Sequence, residues 1–138
     1  MSTSKKIALG HEFKTHRDIS LSMNPTNLMM AHMYGRWCYE VASLTFIERG
    51  IANTFFAEPP SATYDEALIE LQKAKSFKNN GWKSNQLWIA KTMIALSKQY
   101  EAIKVIDEAL KLPIINEEDR MVQIELEKLE KKYYKYRK

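Results

Sequence analysis

The chain contains few of the residues that break helices or form disulfides. It has four glycines, four prolines and a single cysteine among 138 residues. One cysteine cannot form an internal disulfide, so a reducing compartment is expected. Because glycine, proline and alternating valine-rich stretches are all scarce, the sequence predicts helices throughout and no sheet.

Long hydrophobic runs and a targeting segment are also missing. Charged residues interrupt the apolar stretches well short of the roughly 18 to 20 residues that a membrane span needs. The opening stretch MSTSKKIALGHEF has two lysines but no apolar run of signal-peptide length behind them. With 45% hydrophobic and 28% charged residues, the composition predicts one soluble domain over residues 1–138.

Positive charge is concentrated at one end of the chain. The last eight residues, KKYYKYRK, carry five of the 21 basic groups and no acid, which leaves 16 basic and 17 acidic groups elsewhere. This basic tail, residues 131–138, could bind an acidic protein surface such as tubulin, and an anionic membrane or RNA would attract it equally. The frayed end of a soluble helix is the alternative. Because residues 1–130 are together close to neutral, no nucleic-acid partner is expected. The candidate cations are Lys131, Lys132, Lys135, Arg137 and Lys138.

Capping residues and apolar periodicity place the helices. Thr63 and Glu66 form a capping box before a helix that ends near Gly81, and Asn116 caps the last helix. An apolar stripe in this last helix is predicted at Val122, Ile124, Leu126 and Leu129. Further helices are predicted over residues 12–22, 27–41 and 84–96, and from about 100 to Pro113, the last two as an antiparallel pair.

A 34-residue repeat organises these helices. Small and large apolar residues occur at the tetratricopeptide positions in repeat two, residues 82–114, with the proline one residue early. These residues are Ile89, Ala90, Met93, Ala102, Ile106, Ala109 and Pro113. Repeat one, residues 26–79, has 32 residues where twelve are expected between Gly35 and Ala67, so an insertion covers about residues 41–60. The sequence therefore predicts an all-α, tetratricopeptide-like antiparallel helical repeat array of about six or seven helices, with a capping helix over 116–136.

The insertion is itself apolar and helical in its spacing. Leu44, Ile47, Ile51 and Phe55 recur at helical intervals, and Pro59-Pro60 ends the segment. We expect it to fold onto the array. Its phenylalanines, Phe46, Phe55 and Phe56, either fill the core or line an apolar lipid cavity.

Three stretches together resemble the regulator of microtubule dynamics family, helical tetratricopeptide-like proteins. They are GRWCYEVA, FFAEPPSATYDEAL and KLPIINEEDRMVQIEL, and the resemblance covers about residues 19–127. It implies microtubule association, with a role at the spindle and in chromosome segregation. In some relatives it implies attachment to membranes at organelle contacts. The long N-terminal extension of larger members is missing, so the chain is expected to be a short member or one domain.

Nothing in the sequence favours catalysis, a cofactor or a metal site. His11 and His16 are five residues apart, which separates them by about 140° on a helix, whereas zinc-binding pairs four apart are separated by about 40°. Cys38 occupies a buried repeat position and is predicted to be a structural thiol. The methionines Met29, Met30 and Met33 are more often core than an adaptable binding surface. An enzyme is not expected.

The first helices of such repeats line a concave groove in which a peptide can lie. His32, Arg36 and Tyr39 from repeat one and Lys91 from repeat two are the predicted groove residues, and Arg36 and Lys91 occupy the same repeat position. This pair of cations suits an acidic peptide or a lipid phosphate, and scattered solvated charge is the alternative.

The expected function is a non-enzymatic interaction domain of a microtubule-associated protein. It would support microtubule binding and chromosome segregation, in the cytoplasm and on the cytoskeleton and spindle. A lipid-binding or membrane-contact helical module is the second hypothesis, and a generic peptide-binding repeat scaffold is the third.

Overall fold

The computed structural model describes residues 28–44, 62–76 and 81–137. These residues form five α-helices followed by one 3-10 helix, and no strand occurs among them. The all-α prediction is thus confirmed for the described part of the chain. The predicted helix over 12–22 and most of the insertion lie outside it. The helices are α1 (Leu28–Ala42), α2 (Tyr64–Ser76), α3 (Lys83–Ala95), α4 (Gln99–Leu110) and α5 (Glu117–Tyr133), and the 3-10 helix is Tyr134–Tyr136.

The chain divides into two compact units, Met1–Glu70 and Leu71–Lys138, and the division falls within α2. Each unit is described by itself. The capping box at the start of α2 is confirmed, because Thr63 Oγ1 accepts a hydrogen bond from the Glu66 backbone N–H at 3.1 Å. The Asn116 cap of α5 is confirmed in the same way, with Asn116 Oδ1 accepting from the Asp119 N–H at 2.8 Å.

The first unit has its described core where one face of α1 meets the start of α2. Tyr34, Trp37, Cys38, Val41 and Ala67 form a buried cluster. The Cys38 thiol is fully buried, which confirms its structural role. Against this cluster lies Leu44, the only described member of the predicted stripe in the insertion.

The methionine prediction is wrong for Met29. Its side chain is 53% exposed, and Met30 and Met33 are only half-buried. Met29 lies two positions before the buried Ala31, which rotates it by about 200° around α1 and away from the core face.

In the second unit, α3 and α4 form the predicted antiparallel pair. The Lys83 ammonium at the start of α3 donates hydrogen bonds to the Ala109 carbonyl at 2.7 Å and the Leu112 carbonyl at 2.8 Å, both at the end of α4. Eight consecutive residues of α3, 83–90, are buried, whereas the sequence predicted one apolar stripe. Residues 83–90 are buried on every side of the helix because α3 contacts both α4 and α5.

Helices α3 and α5 lie side by side and run parallel. Ser84 Oγ donates to Glu118 Oε1 at 3.0 Å, and Lys91 Nζ lies 3.5 Å from Glu125 Oε2. Both pairs are 34 positions apart along the chain. The α5 stripe is confirmed at Val122 and Leu126, which are buried.

The prediction for Ile124 is wrong, because its side chain is 52% exposed. Two positions correspond to about 200° of helix, so Ile124 points away from the face of α5 that carries the buried Val122.

The turn between α3 and α4 offers a stabilising substitution. Ser97 has a φ of 62°, its N–H donates to the Ile94 carbonyl, and the Lys98 N–H donates to the Met93 carbonyl, the pattern of a Schellman motif. We expect Ser97→Gly to raise the free energy of unfolding by up to about 1 kcal/mol, because glycine adopts this conformation without a Cβ penalty. Urea denaturation followed by circular dichroism measures this. An equal or lower stability would contradict the expected strain at this position, and Ser97→Ala is the matched control with no expected gain.

Candidate interaction surface

The basic tail is folded in the structure. After α5 the chain continues as the 3-10 helix and places Arg137 against α4. Arg137 Nε and Nη2 donate to the two carboxylate oxygens of Asp107 at 3.0 and 2.7 Å, and Nη2 also contacts Glu130. The alternative of a frayed helix end is therefore wrong up to residue 137, and Lys138 lies outside the described residues.

Tyrosine rings add apolar contacts to this ionic attachment. The rings of Tyr136 and Tyr100 meet edge to face, with centroids 5.2 Å apart. The Tyr133 ring also lies near that of Tyr136, with centroids 6.1 Å apart. Edge-to-face pairs of this kind contribute roughly 0.5 to 1.5 kcal/mol beyond the area that they bury. The tail is thus held to α4 by two kinds of contact.

The lysines of the tail face solvent. Lys131, Lys132 and Lys135 are all exposed. Lys132 Nζ lies 5.5 Å from the centroid of the Tyr133 ring, and Lys135 Nζ lies 5.3 Å from that of Tyr136. A cation over an aromatic face restricts the side chain while leaving the ammonium accessible. The folded tail therefore presents its lysines on an ordered surface.

The contact of the tail with α4 changes the pKa of Asp107. Hydrogen bonds from Arg137 lower the pKa of this carboxyl below its usual 3.8; partial burial opposes this, and the charges of Arg137 and Lys111 assist it. In return, the hydrogen bonds that Arg137 donates to Asp107 and Glu130 raise the pKa of its guanidinium. At neutral pH the Arg137 guanidinium and the Asp107 carboxylate are therefore both ionised, so this ion pair persists.

A carbon-13 titration of the Asp107 carboxyl is expected to have a midpoint below 3.8. Since the pKa is lower in the folded chain, the stability from this contact is complete above the unfolded pKa. It is lost as pH falls through the lower, folded pKa. Arg137→Gln should move the midpoint back toward 3.8, because the main cause of the shift is removed. A midpoint at or above 3.8 in the parent chain would contradict the contact.

Three of the predicted groove residues belong to the first unit. His32 is only 2% exposed, so it packs inside the protein, while Arg36 and Tyr39 are half-buried. The Tyr39 ring lies 5.5 Å from that of Tyr64. Lys91 belongs to the second unit, and the groove that would join these residues stays a prediction.

Lys91 is held by neighbours within the second unit. Its ammonium lies 4.2 Å from the centroid of the Trp88 ring and 3.5 Å from a carboxylate oxygen of Glu125. The Glu125 carboxylate offsets the positive charge that an acidic partner would need, and the Lys91 side chain is only 25% exposed. The exposed lysines of the tail are therefore better candidates for an electrostatic contact.

The second unit also has a cavity of about 410 Å³ between the start of α3 and the loop before α5. Gly81 forms one edge with a φ of +83°, and an added Cβ would lie 2.7 Å from Leu112 Cδ2. The Lys83 ammonium is committed to two carbonyls, and desolvation lowers its pKa despite the nearby Asp119. This lysine fixes the end of α4 to the start of α3. The cavity is lined by Gly81, Trp82, Lys83, Leu112, Pro113, Ile115, Asn116, Glu118 and Asp119.

The described ranges 28–44, 62–76 and 81–137 contain neither a metal-binding cluster nor a membrane-spanning helix. No group of three or more His, Cys, Asp or Glu side chains there could hold a metal ion. His11 and His16 lie outside these ranges. None of the helices in the same ranges is long and apolar enough to cross a membrane.

Sequence reasoning missed the acceptors of Arg137. Glu130 precedes Arg137 by only seven residues, so its opposite charge close by in the sequence was a local signal that could have been used. Asp107 is 30 residues away, and no local pattern connects it to the tail.

In the described ranges the fold is all-helical, and a cluster of exposed lysines lies at the folded end of the last helix. A family model described as Regulator of microtubule dynamics protein 1-3 matches residues 1–134. The chain belongs to this family, which confirms the resemblance inferred from sequence.

The chain is similar to relatives named Regulator of microtubule dynamics proteins 1, 2 and 3. It is 37% identical over 124 residues to Regulator of microtubule dynamics protein 2 of Rattus norvegicus, covering 90% of this chain and 30% of that protein. It is 36% identical over 127 residues to protein 3 of Rattus norvegicus, covering 92% of this chain and 27% of that protein. It is 35% identical over 124 residues to Regulator of microtubule dynamics protein 1 of Mus musculus, covering 90% of this chain and 41% of that protein. The match thus spans between 27% and 41% of the length of these relatives.

Proposed function

We propose that this chain is a non-enzymatic interaction domain that supports association with microtubules. The observation that carries the proposal is the folded basic tail, whose exposed Lys131, Lys132 and Lys135 lie on an ordered surface. Tubulin surfaces are strongly acidic, so clustered lysines would attract them and speed the encounter. The names of the relatives, regulators of microtubule dynamics, support the same kind of partner.

We also propose a tetratricopeptide-like repeat array as the framework. In such an array the first helices of successive repeats pack side by side at a 34-residue interval. The Ser84–Glu118 and Lys91–Glu125 contacts join α3 to α5 at this interval. The antiparallel pair of α3 and α4 supplies the helix hairpin that the repeat requires.

The array is proposed to serve binding and not catalysis, because its buried charged groups make structural contacts within the chain. The buried Lys83 caps the end of α4, and the buried Asp119 accepts a hydrogen bond from the Ile115 N–H. A role in chromosome segregation at the spindle, from a cytoplasmic and cytoskeletal location, is part of the proposal.

Co-sedimentation with polymerised tubulin over a series of salt concentrations tests the function. We expect the parent chain to pellet with microtubules at low salt and to dissociate as salt rises, because exposed charges are screened. Deleting residues 131–138 should weaken binding several-fold at low salt, while circular dichroism shows that the chain is still helical. The proposal fails if the parent chain stays in the supernatant at low salt.

Anionic lipid is the alternative partner, because the same lysines and the exposed Tyr134 also suit a membrane surface. Flotation with phosphatidylserine vesicles tests it alongside the microtubule assay. Vesicle binding without microtubule binding would replace the proposed function by a membrane-contact role.

A further inference from the structure

One face of α4 carries a regular series of tyrosine, lysine and aspartate side chains. Tyr100, Lys104, Asp107 and Lys111 follow one another at intervals of four, three and four residues. At about 100° per residue these four lie within roughly 60° of one another around the helix. Lys104 and Lys111 are exposed, so both ammonium groups are accessible on this face.

The basic tail docks on the same face. Tyr136 packs on Tyr100, and Arg137 binds Asp107. These two contacts lie on the stripe that carries Lys104 and Lys111. Docking therefore places the end of the tail on the same face of α4 as these two lysines. The exposed lysines of the tail and of this face would together form one cationic surface from two parts of the chain. We name this the composite lysine surface, and its members are Lys104, Lys111, Lys131, Lys132 and Lys135.

Arg137 has a different environment from these lysines. Its guanidinium donates to two oxygens of Asp107 and contacts Glu130, so its forked donors are used within the chain. It also neutralises Asp107, which would otherwise place a negative charge between the two lysines of α4. Arg137 therefore shapes the surface through the contacts that its Nε and Nη2 make within the chain.

We infer that the composite lysine surface binds an extended acidic polypeptide, and that Arg137 is a positioning residue which assembles the surface. The inference rests on the proposed function and names the chemistry of the contact. It extends the site beyond the tail to Lys104 and Lys111 of α4.

The spacing of the charges favours a polypeptide. Lys111, directly after α4, follows Lys104 by seven positions, a helical rise of about 10 Å, which corresponds to roughly three residues of an extended chain. Glutamates recurring at short intervals in an acidic segment could thus reach both ammonium groups. Duplex nucleic acid carries a charge about every 1.7 Å, a much denser array than these separated lysines match.

An exchange of charges between Asp107 and Arg137 tests the positioning role. The variants are Arg137→Asp, Asp107→Arg and the double variant, whose net charge equals that of the parent. The probe is fluorescein-labelled poly-L-glutamate of about 20 residues, and its binding is followed by fluorescence anisotropy at low salt. Circular dichroism confirms that each variant is helical.

We expect Arg137→Asp to weaken binding about tenfold or more, because the tail is released and two units of positive charge are lost. The double variant should recover to within about threefold of the parent, because the ion pair forms in reverse and the guanidinium introduced by Asp107→Arg would also face Glu130. If Arg137 contacted the polypeptide itself, an aspartate at that position could not restore binding. A folded double variant that binds as weakly as Arg137→Asp overturns the inference.

A second pair of variants tests the contribution of α4. Lys104→Ala with Lys111→Ala should weaken poly-L-glutamate binding about fivefold, although the tail is unchanged. The matched control, Lys75→Ala with Lys98→Ala, removes the same charge from exposed lysines at other positions and should change binding less than twofold. Equal losses in the two double variants would mean that total charge alone governs binding, and the composite surface would be wrong.

Two further probes separate this inference from the proposed function. Should the poly-L-glutamate results hold while the parent chain fails to pellet with microtubules, the surface stands and the proposed microtubule role is wrong. Should phosphatidylserine vesicles bind while poly-L-glutamate does not, the acidic-polypeptide inference is overturned in favour of a membrane.

Discussion

Trp37→Ala is expected to lower the free energy of unfolding by about 3 to 5 kcal/mol, the range for removing a large aromatic side chain from a core. Trp37 is only 6% exposed and packs on Tyr34, with ring centroids 5.4 Å apart. A single domain is commonly stable by about 5 to 15 kcal/mol, so this change removes much of the margin. Urea denaturation followed by circular dichroism measures the loss.

Trp37→Phe is the matched variant, and it should cost less than about 1.5 kcal/mol. The Trp37 Nε1 is buried and has no hydrogen-bond partner among the residues that the structure describes. Phenylalanine keeps most of the apolar packing and removes this unsatisfied donor, whose burial is itself unfavourable. Equal losses for the two variants would show that the indole N–H makes a stabilising hydrogen bond.

Ile106→Ala is expected to destabilise the second unit by about 2 to 5 kcal/mol. The side chain is fully buried on α4, so its removal loses apolar burial and leaves a cavity that the neighbours fill only partly. The same denaturation experiment measures the change.

Ile115→Ala provides the control for this substitution. Ile115 is 80% exposed in the loop before α5, so the same chemical change should alter stability by less than about 0.5 kcal/mol. A loss at Ile115 comparable to that at Ile106 would contradict the burial of the two residues in the structure.

The helices and their starts were predictable because the signals are local. The Thr63 and Asn116 caps each act on a backbone N–H three residues away, and both hydrogen bonds are present. The boundaries of α3 and α4, which have no side-chain cap, were predicted closely from apolar periodicity, which is also a local signal. Ala102, Ile106 and Ala109 were predicted from the tetratricopeptide pattern as positions of close helix packing, and all three are buried.

Errors arose where local apolar character was taken for burial. Met29 and Ile124 have the hydrophobicity of core residues, yet each is about 200° around its helix from a buried neighbour. Burial of α3 on all sides also escaped prediction, because it depends on contact with both α4 and α5.

The sequence by itself determined the helical class, the capped starts of α2 and α5, the 34-residue interval and the concentration of positive charge at residues 131–138. These features depend on residue types and on spacings within a few turns of helix. Only the tertiary structure decided how the tail charges are used. Arg137 is committed to Asp107, 30 residues away, while Lys131, Lys132 and Lys135 face solvent. Such a pairing depends on how α4 and α5 pack, because residues distant in sequence meet only when their helices do.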